Sequence, residues 1–386
     1  MKNIYIKKRK RKGDVLKKTF AREYLFCWLL MLAITISYGH STFVYMFVMI
    51  TLVIFTYYRF VKYIRFFPDI MKCICLYFST VSVFIGLIKG QFQDVLMCNV
   101  SILLPFVFST YPVKEGKEYK SCMVLGILGI IFDLIHSKIS VFYNMNINTY
   151  SFLIFISFSA IFILVRVKKT VLSMLMMVYC AFALTHSGSR NAMVIYLVVA
   201  ILTLLPYKIL TNKIMYRLIY IVSLGFQCVS NIWMNYVENT PYLSNLFYEI
   251  VDPYINKAWG IENRIEVYAN VSSIIWNQDI FSLLFGNGVA FHHAHNGFYQ
   301  TVFLYGIIGF IFVIIVYIVI FEMGLILLKS EKNEFIAGCF ICICGVFLLQ
   351  GADVFLFGVK TCTVLPFLLS SVILRKYLFP SRCYSN

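Results

Sequence analysis

The chain has 386 residues, 61% of them hydrophobic and only 13% charged, with a mean hydropathy of +0.82. Soluble globular proteins carry roughly a quarter charged residues, so this composition argues against an ordinary water-soluble domain and suits lipid as the main solvent. The net charge of +17 does not point to nucleic acid, because the cations gather at the N-terminus and in short gaps between apolar runs.

The first segment, residues 1–22, holds ten Lys and Arg and reads as a basic cytoplasmic N-terminus. The apolar run after it lacks a small-residue cleavage site and more runs follow, so no cleavable signal peptide is expected. A bilayer core takes about 20 helical residues, with a range near 17–25. Apolar runs at 23–39, 41–58, 70–88, 93–111, 121–136, 150–165, 170–186, 191–206, 214–231, 297–320, 335–352 and 361–375 therefore predict an all-α integral membrane protein of about 12 transmembrane helices. No other domain interrupts 1–386, which reads as a single polytopic membrane domain.

Alternating the gaps between two sides puts 28 of the 34 Lys and Arg on one side. The other side keeps Lys89, Lys138, Arg190, Lys257, Arg264 and Lys360. The cation-rich side is expected to be cytoplasmic, with both termini there. Cys339, Cys342 and Cys344 have a C-x-x-C-x-C spacing but sit in an apolar run without His or acidic neighbours, so small buried hydrophobes are expected rather than metal ligands.

Residues 232–294 form one long extracytoplasmic loop between the ninth and tenth spans. It opens on turn-forming Glu238-Asn239-Thr240-Pro241, shows helical periodicity near 261–278, and carries Trp233, Trp259 and Trp276. Loops of this length are usually functional or disordered, and the aromatic content favours an ordered cap on the membrane.

Three features on the outer side need explaining. Arg190 follows His186-Ser187-Gly188-Ser189 and opens the eighth span. A cation there opposes the positive end of the helix dipole, which makes sense if an anion such as phosphate sits with it. Snorkelling to lipid headgroups is the other reading. Arg264 lies in Glu262-Asn263-Arg264-Ile265-Glu266, where pairing with a neighbouring carboxylate would also account for it. Gly286-Asn287-Gly288 and then His292-His293-Ala294-His295-Asn296-Gly297 lead into the tenth span. With no carboxylate or cysteine nearby in sequence, a lone general base or interfacial histidines fit better than a metal site. Asp133 with His136 could form a proton relay or an interfacial capping pair.

His295-Asn296-Gly297-Phe298-Tyr299-Gln300, followed by Tyr305-Gly306-Ile307-Ile308-Gly309, resembles the signature of the bacterial O-antigen ligase and polysaccharide polymerase (Wzy-like) superfamily. Ser189-Arg190 resembles its Ser-Arg motif, and Arg264 with Gly286-Asn287-Gly288 resembles its loop arginine and downstream Gly-x-Gly. The family often has Trp shortly after that arginine, whereas this chain reads Glu266-Val267-Tyr268.

The resemblance implies an enzyme of the bacterial cytoplasmic (inner) membrane that moves a glycan from an undecaprenyl-diphosphate-linked oligosaccharide to an acceptor hydroxyl. His295 would be catalytic as general base, and Arg190 and Arg264 would bind the diphosphate, without metal or other cofactor. Polymerisation of repeat units is the favoured activity; ligation to a final acceptor and a flippase or other transporter are the alternatives. Membrane lipid, a chain-length regulator and a flippase are the further partners implied, and no nucleic acid.

Overall fold

The computed structural model describes residues 18–19, 25, 29, 42–90, 92–110, 113–114, 118–136, 147–187, 190–239, 261–289, 296–351, 364–379 and 383–384. Almost all of them are helical, so the fold is all-α. The helices are α1 (Thr42–Tyr63), α2 (Asp69–Ile88), α3 (Phe92–Ser109), α4 (Glu118–His136), α5 (Ile147–Val167), α6 (Val171–Ser187) and α7 (Arg190–Leu204). They continue with α8 (Tyr207–Thr211), α9 (Lys213–Asn239), α10 (Ile261–Trp276), α11 (Ile280–Phe285), α12 (Gly297–Glu331), α13 (Glu334–Gln350) and α14 (Val364–Leu378). Three two-residue strands, Lys18–Thr19, Val113–Lys114 and Cys383–Tyr384, pair in parallel.

Every apolar run from 41–58 onward coincides with a helix; the run 23–39 lies outside the described residues except for helical Leu25 and Leu29. Among the described residues, two helices, α2 and α12, are long and apolar enough to cross a membrane, and several shorter apolar helices accompany them. α12 and α9 overshoot their runs furthest. α12 continues to Glu331 through Met323-Gly324-Leu325-Ile326-Leu327-Leu328, of which all but Ile326 are buried, so packing rather than hydropathy alone carries the helix on. α9 continues to Asn239, two residues before Pro241, where the clash of proline with the preceding residue disfavours helix.

The bundle is organised around α13 and α5. α13 is buried from Ile336 to Gln350, all round its circumference, as expected of a helix apolar on every face. Cys339, Cys342 and Cys344 are each fully buried in it, and the Cys342 thiol faces the Ser159 carbonyl. α5, α7, α9, α12 and α14 surround α13, and α14 also packs along α3. The outer faces carry exposed apolar rows, among them Leu172, Leu175, Val178 and Phe182 on α6 and Ile214, Leu218, Ile221 and Val222 on α9.

One end of the bundle is tied by cations, of which Arg166, Arg375 and Lys376 lie in the last turns of their helices, where a positive charge offsets the dipole and the free carbonyls. Arg166, at the end of α5, donates to Thr203 O at 3.1 Å and to Leu205 O just past α7, and pairs with Glu334 at 2.7 Å. Arg375 of α14 donates to Phe108 O at 2.6 Å. Lys376 pairs with Glu331, and Arg217 with Glu322. This is the end to which the charge count assigns the cytoplasm.

Candidate functional site

The opposite end is where α9, α12 and α13 meet, and Asn296 joins them. It precedes α12 as its N-cap, and its Oδ1 accepts from Phe298 N at 2.8 Å and Tyr299 N at 3.3 Å. Its Nδ2 donates to Gln227 O at 2.9 Å and Ser230 Oγ at 3.0 Å on α9, and to Gly351 O at 3.4 Å beyond α13. The side chain is wholly buried. Only a primary amide can accept and donate in this way within so small a volume. Next to it, a Cβ on Gly297 would lie 2.7 Å from Gln350 Oε1 and 2.8 Å from Gln227 Oε1.

Ten residues on, α12 breaks. Gly306 has φ 72° and ψ −179°, a conformation open essentially to glycine alone. Such a residue cannot continue the i→i−4 ladder. The carbonyls before it are met from outside the helix instead. Asn287 N donates to Phe303 O at 2.9 Å, Gly288 N to Leu304 O at 3.1 Å, and Tyr77 Oη to Tyr305 O at 3.0 Å. The approach is backbone to backbone: a Cβ on Gly306 would strike Leu284 O, and one on Gly286 would strike Leu304 O. The Gly-Asn-Gly segment and the first glycine of the G-x-x-G are thus two halves of one clamp.

A second irregularity faces the break. α2 passes through a π-turn at Tyr77–Val81, of the kind common at functional sites. Buried Asn99 donates to the Phe78 carbonyl and to Ser82 Oγ, closing the freed backbone. The Phe78 ring stacks edge-on against Tyr305 at 5.0 Å. Two distorted helices therefore share one sealed polar seam.

α10 and α11 lie against the first segment of α12. Val271 and Ile275 of α10 form a small apolar cluster with Tyr299 and Val302. Asp279 caps α11 by accepting from Ser282 N at 2.9 Å, and it takes the Ser282 hydroxyl at 2.7 Å. These two bonds, helped by Lys89, hold its carboxyl below the usual carboxylate range. Lys89, after α2, in turn reaches Ser282 Oγ at 3.3 Å.

The predicted site residues relate to this frame as follows. His295 lies outside the described residues, as the immediate chain neighbour of Asn296. Arg190 begins α7, whose far end is held by Arg166, so its backbone lies at the Asn296 end of the bundle. Arg264 lies in α10, the helix that packs on α12. The side chains of Arg190 and Arg264 are outside what is described. Asp133 accepts from Tyr179 Oη at 2.7 Å; the His136 side chain, its expected partner, is not described. Asn296 was noted in sequence only beside His295 in the motif and was given no role, and Asn99 and Tyr77 were not singled out. The one available signal was an Asn directly before a helix-opening Gly, an N-cap pattern.

No family model, curated protein or solved structure matches this chain.

Proposed function

We propose that the protein is a multi-pass enzyme of about 12 spans in the bacterial cytoplasmic membrane, with both termini cytoplasmic, that polymerises undecaprenyl-diphosphate-linked oligosaccharide repeat units. The exposed apolar rows on α6 and α9 favour a lipid environment, because contiguous apolar surface of this kind is costly in water. Non-helical backbone at membrane depth is tolerated where protein encloses it or it lines a cavity, which suits the clamped break at Gly306.

The observation that carries the reading is the pair of pinned ends around the His295-Asn296 motif: Asn296 locks one end of the segment 296–305 and the Gly286–Gly288 clamp locks the other. A reacting group next to so fixed a segment meets the positional demand of catalysis. In the proposed reaction an acceptor sugar hydroxyl attacks the anomeric carbon of the donor. Its oxygen forms the new glycosidic bond while the bond from that carbon to the diphosphate oxygen breaks. His295 takes the hydroxyl proton, a task suited to an imidazole near neutral pH. Arg190 and Arg264 hold the departing undecaprenyl diphosphate, since guanidinium stays charged and binds phosphate oxygens in a bidentate way. No metal is required in this scheme.

The test is complementation of a deletion strain with wild type and His295→Ala, Arg190→Ala and Arg264→Ala, reading glycan length on a gel beside membrane levels of each protein. A restored ladder with wild type, and single repeat units with well-expressed His295→Ala, supports polymerisation. Loss of a general base costs about 10²–10⁴-fold in rate, enough to remove the ladder. Long chains that stay on the lipid carrier and never reach a final acceptor would favour ligation. Wild-type ladders from all three variants would sink the proposed site and favour transport.

A further inference from the structure

Capping α12 requires only the Oδ1 of Asn296, and Ser serves that purpose about as well. Yet Asn296 also directs its amide nitrogen away from its own helix, onto Gln227 O and Ser230 Oγ of α9 and Gly351 O beyond α13. Those acceptors lie 69, 66 and 55 residues away in sequence, so the bonds fix tertiary position rather than helix start. The side chain has no exposed surface and cannot touch a substrate. Nine residues later Tyr305 meets Tyr77, next to the clamped carbonyls of Phe303 and Leu304. The segment between is held at both ends against different helices.

We infer that Asn296 is a positioning residue: through its amide nitrogen it ties the start of α12 to α9 and to Gly351 beyond α13, and so sets the rate of the chemical step without contacting substrate. This rests on the proposed role of His295. The amide nitrogen, not the cap, is the part that matters for turnover. A displacement of about 1 Å of a reacting group can cost about 100-fold in rate, whereas tertiary hydrogen bonds inside a membrane bundle are individually weak contributors to stability. The two effects are therefore separable.

The test uses the purified full chain in lipid nanodiscs, with lipid-linked repeat units extracted from the deletion strain as both donor and acceptor. Asn296→Ser keeps a cap acceptor and removes the ties to α9 and Gly351. Its kcat is expected to fall about 10- to 100-fold with KM changed less than about 3-fold. Ser230→Ala removes one acceptor and should show a smaller loss of kcat with the same unchanged KM. Asn333→Ala removes the Oδ1 cap of α13 at the opposite end; it should lower the thermal midpoint and leave kcat of the folded protein at the wild-type value. Wild-type kcat in Asn296→Ser, with His295→Ala inactive, would overturn the inference and leave Asn296 as a cap. Should Asn296→Ser not fold, Ser230→Ala decides: wild-type kcat there overturns it equally. Full turnover by His295→Ala is a different failure, that of the proposed reaction, and the inference falls with it.

Discussion

The backbone N–H of Asn287 donates to the carbonyl oxygen of Phe303 at 2.9 Å, so a segment preceding α12 completes a helix that has abandoned its own ladder. The bond is possible only because glycines on both sides admit close contact of two main chains. Stability and site geometry thus share the same few atoms.

Gly306→Ala is expected to be among the most damaging single-methyl changes in the chain. It forces an L side chain into a backbone region that costs about 1–3 kcal/mol, and drives Cβ into the Leu284 carbonyl, which adds a comparable overpacking cost. Thermal unfolding of the detergent-solubilised protein, followed by size-exclusion fluorescence, should show a large drop in midpoint. A midpoint within a degree or two of wild type would mean the break is not at Gly306.

Tyr77→Phe removes the hydroxyl that satisfies Tyr305 O but keeps the ring packed against Phe312. The expected loss is about 1 kcal/mol, the usual net value of one interhelical hydrogen bond in a membrane bundle. The same unfolding assay reads it, and an unchanged midpoint would deny the bond any role in stability.

Arg166 is the harsher case at the other end. Its side chain is 2% exposed, against 31% for Glu334, and it also closes the carbonyl end of α7. Arg166→Ala should cost about 2–4 kcal/mol, below the full value for breaking a buried pair because Glu334 keeps contact with solvent. Arg166→Lys should recover little, since an ammonium cannot serve a carboxylate and two carbonyls in a fork. Full recovery by Lys would show that charge alone is needed.

Asp279 supplies a pH signature. Its carboxyl is held lower in the folded chain than the ordinary value near 3.9. The folded state therefore favours the ionised form, and the stability this contributes is present above about pH 4 and lost as pH falls through the lowered folded value. The difference in thermal midpoint between wild type and Asp279→Ala should be constant from neutral pH to about 5 and close below about 4. A gap that persists at the acid end would assign the cap to something other than the carboxylate.

Most of the helices were legible because they are long apolar runs, and lipid or a buried core rewards that composition whatever the neighbours are; α10 was legible from its periodicity, and the short α8 and α11 were not legible at all. The ends of α9 and α12 were not, since residues 232–239 and 321–331 mix polar and apolar side chains and only packing decides whether the helix goes on. Hydropathy averages over a window and is blind to one dihedral angle, so the break at Gly306 could not be read from composition. Its glycine was visible only within a pattern. Asn296 drew notice as the partner of His295, but its ties to Gln227 and Gly351 depend on where two distant helices finish, which no local spacing encodes.

Arg375 reaches Phe108 across 267 residues of sequence, and α14 packs along most of α3. The seam on α3 is therefore covered by a helix translated long after it. A chain stopped by a nonsense codon just ahead of α14 would carry every residue of the proposed site and still present an open aromatic and aliphatic groove. Such alleles are expected to read as nulls through rapid turnover rather than through lost chemistry.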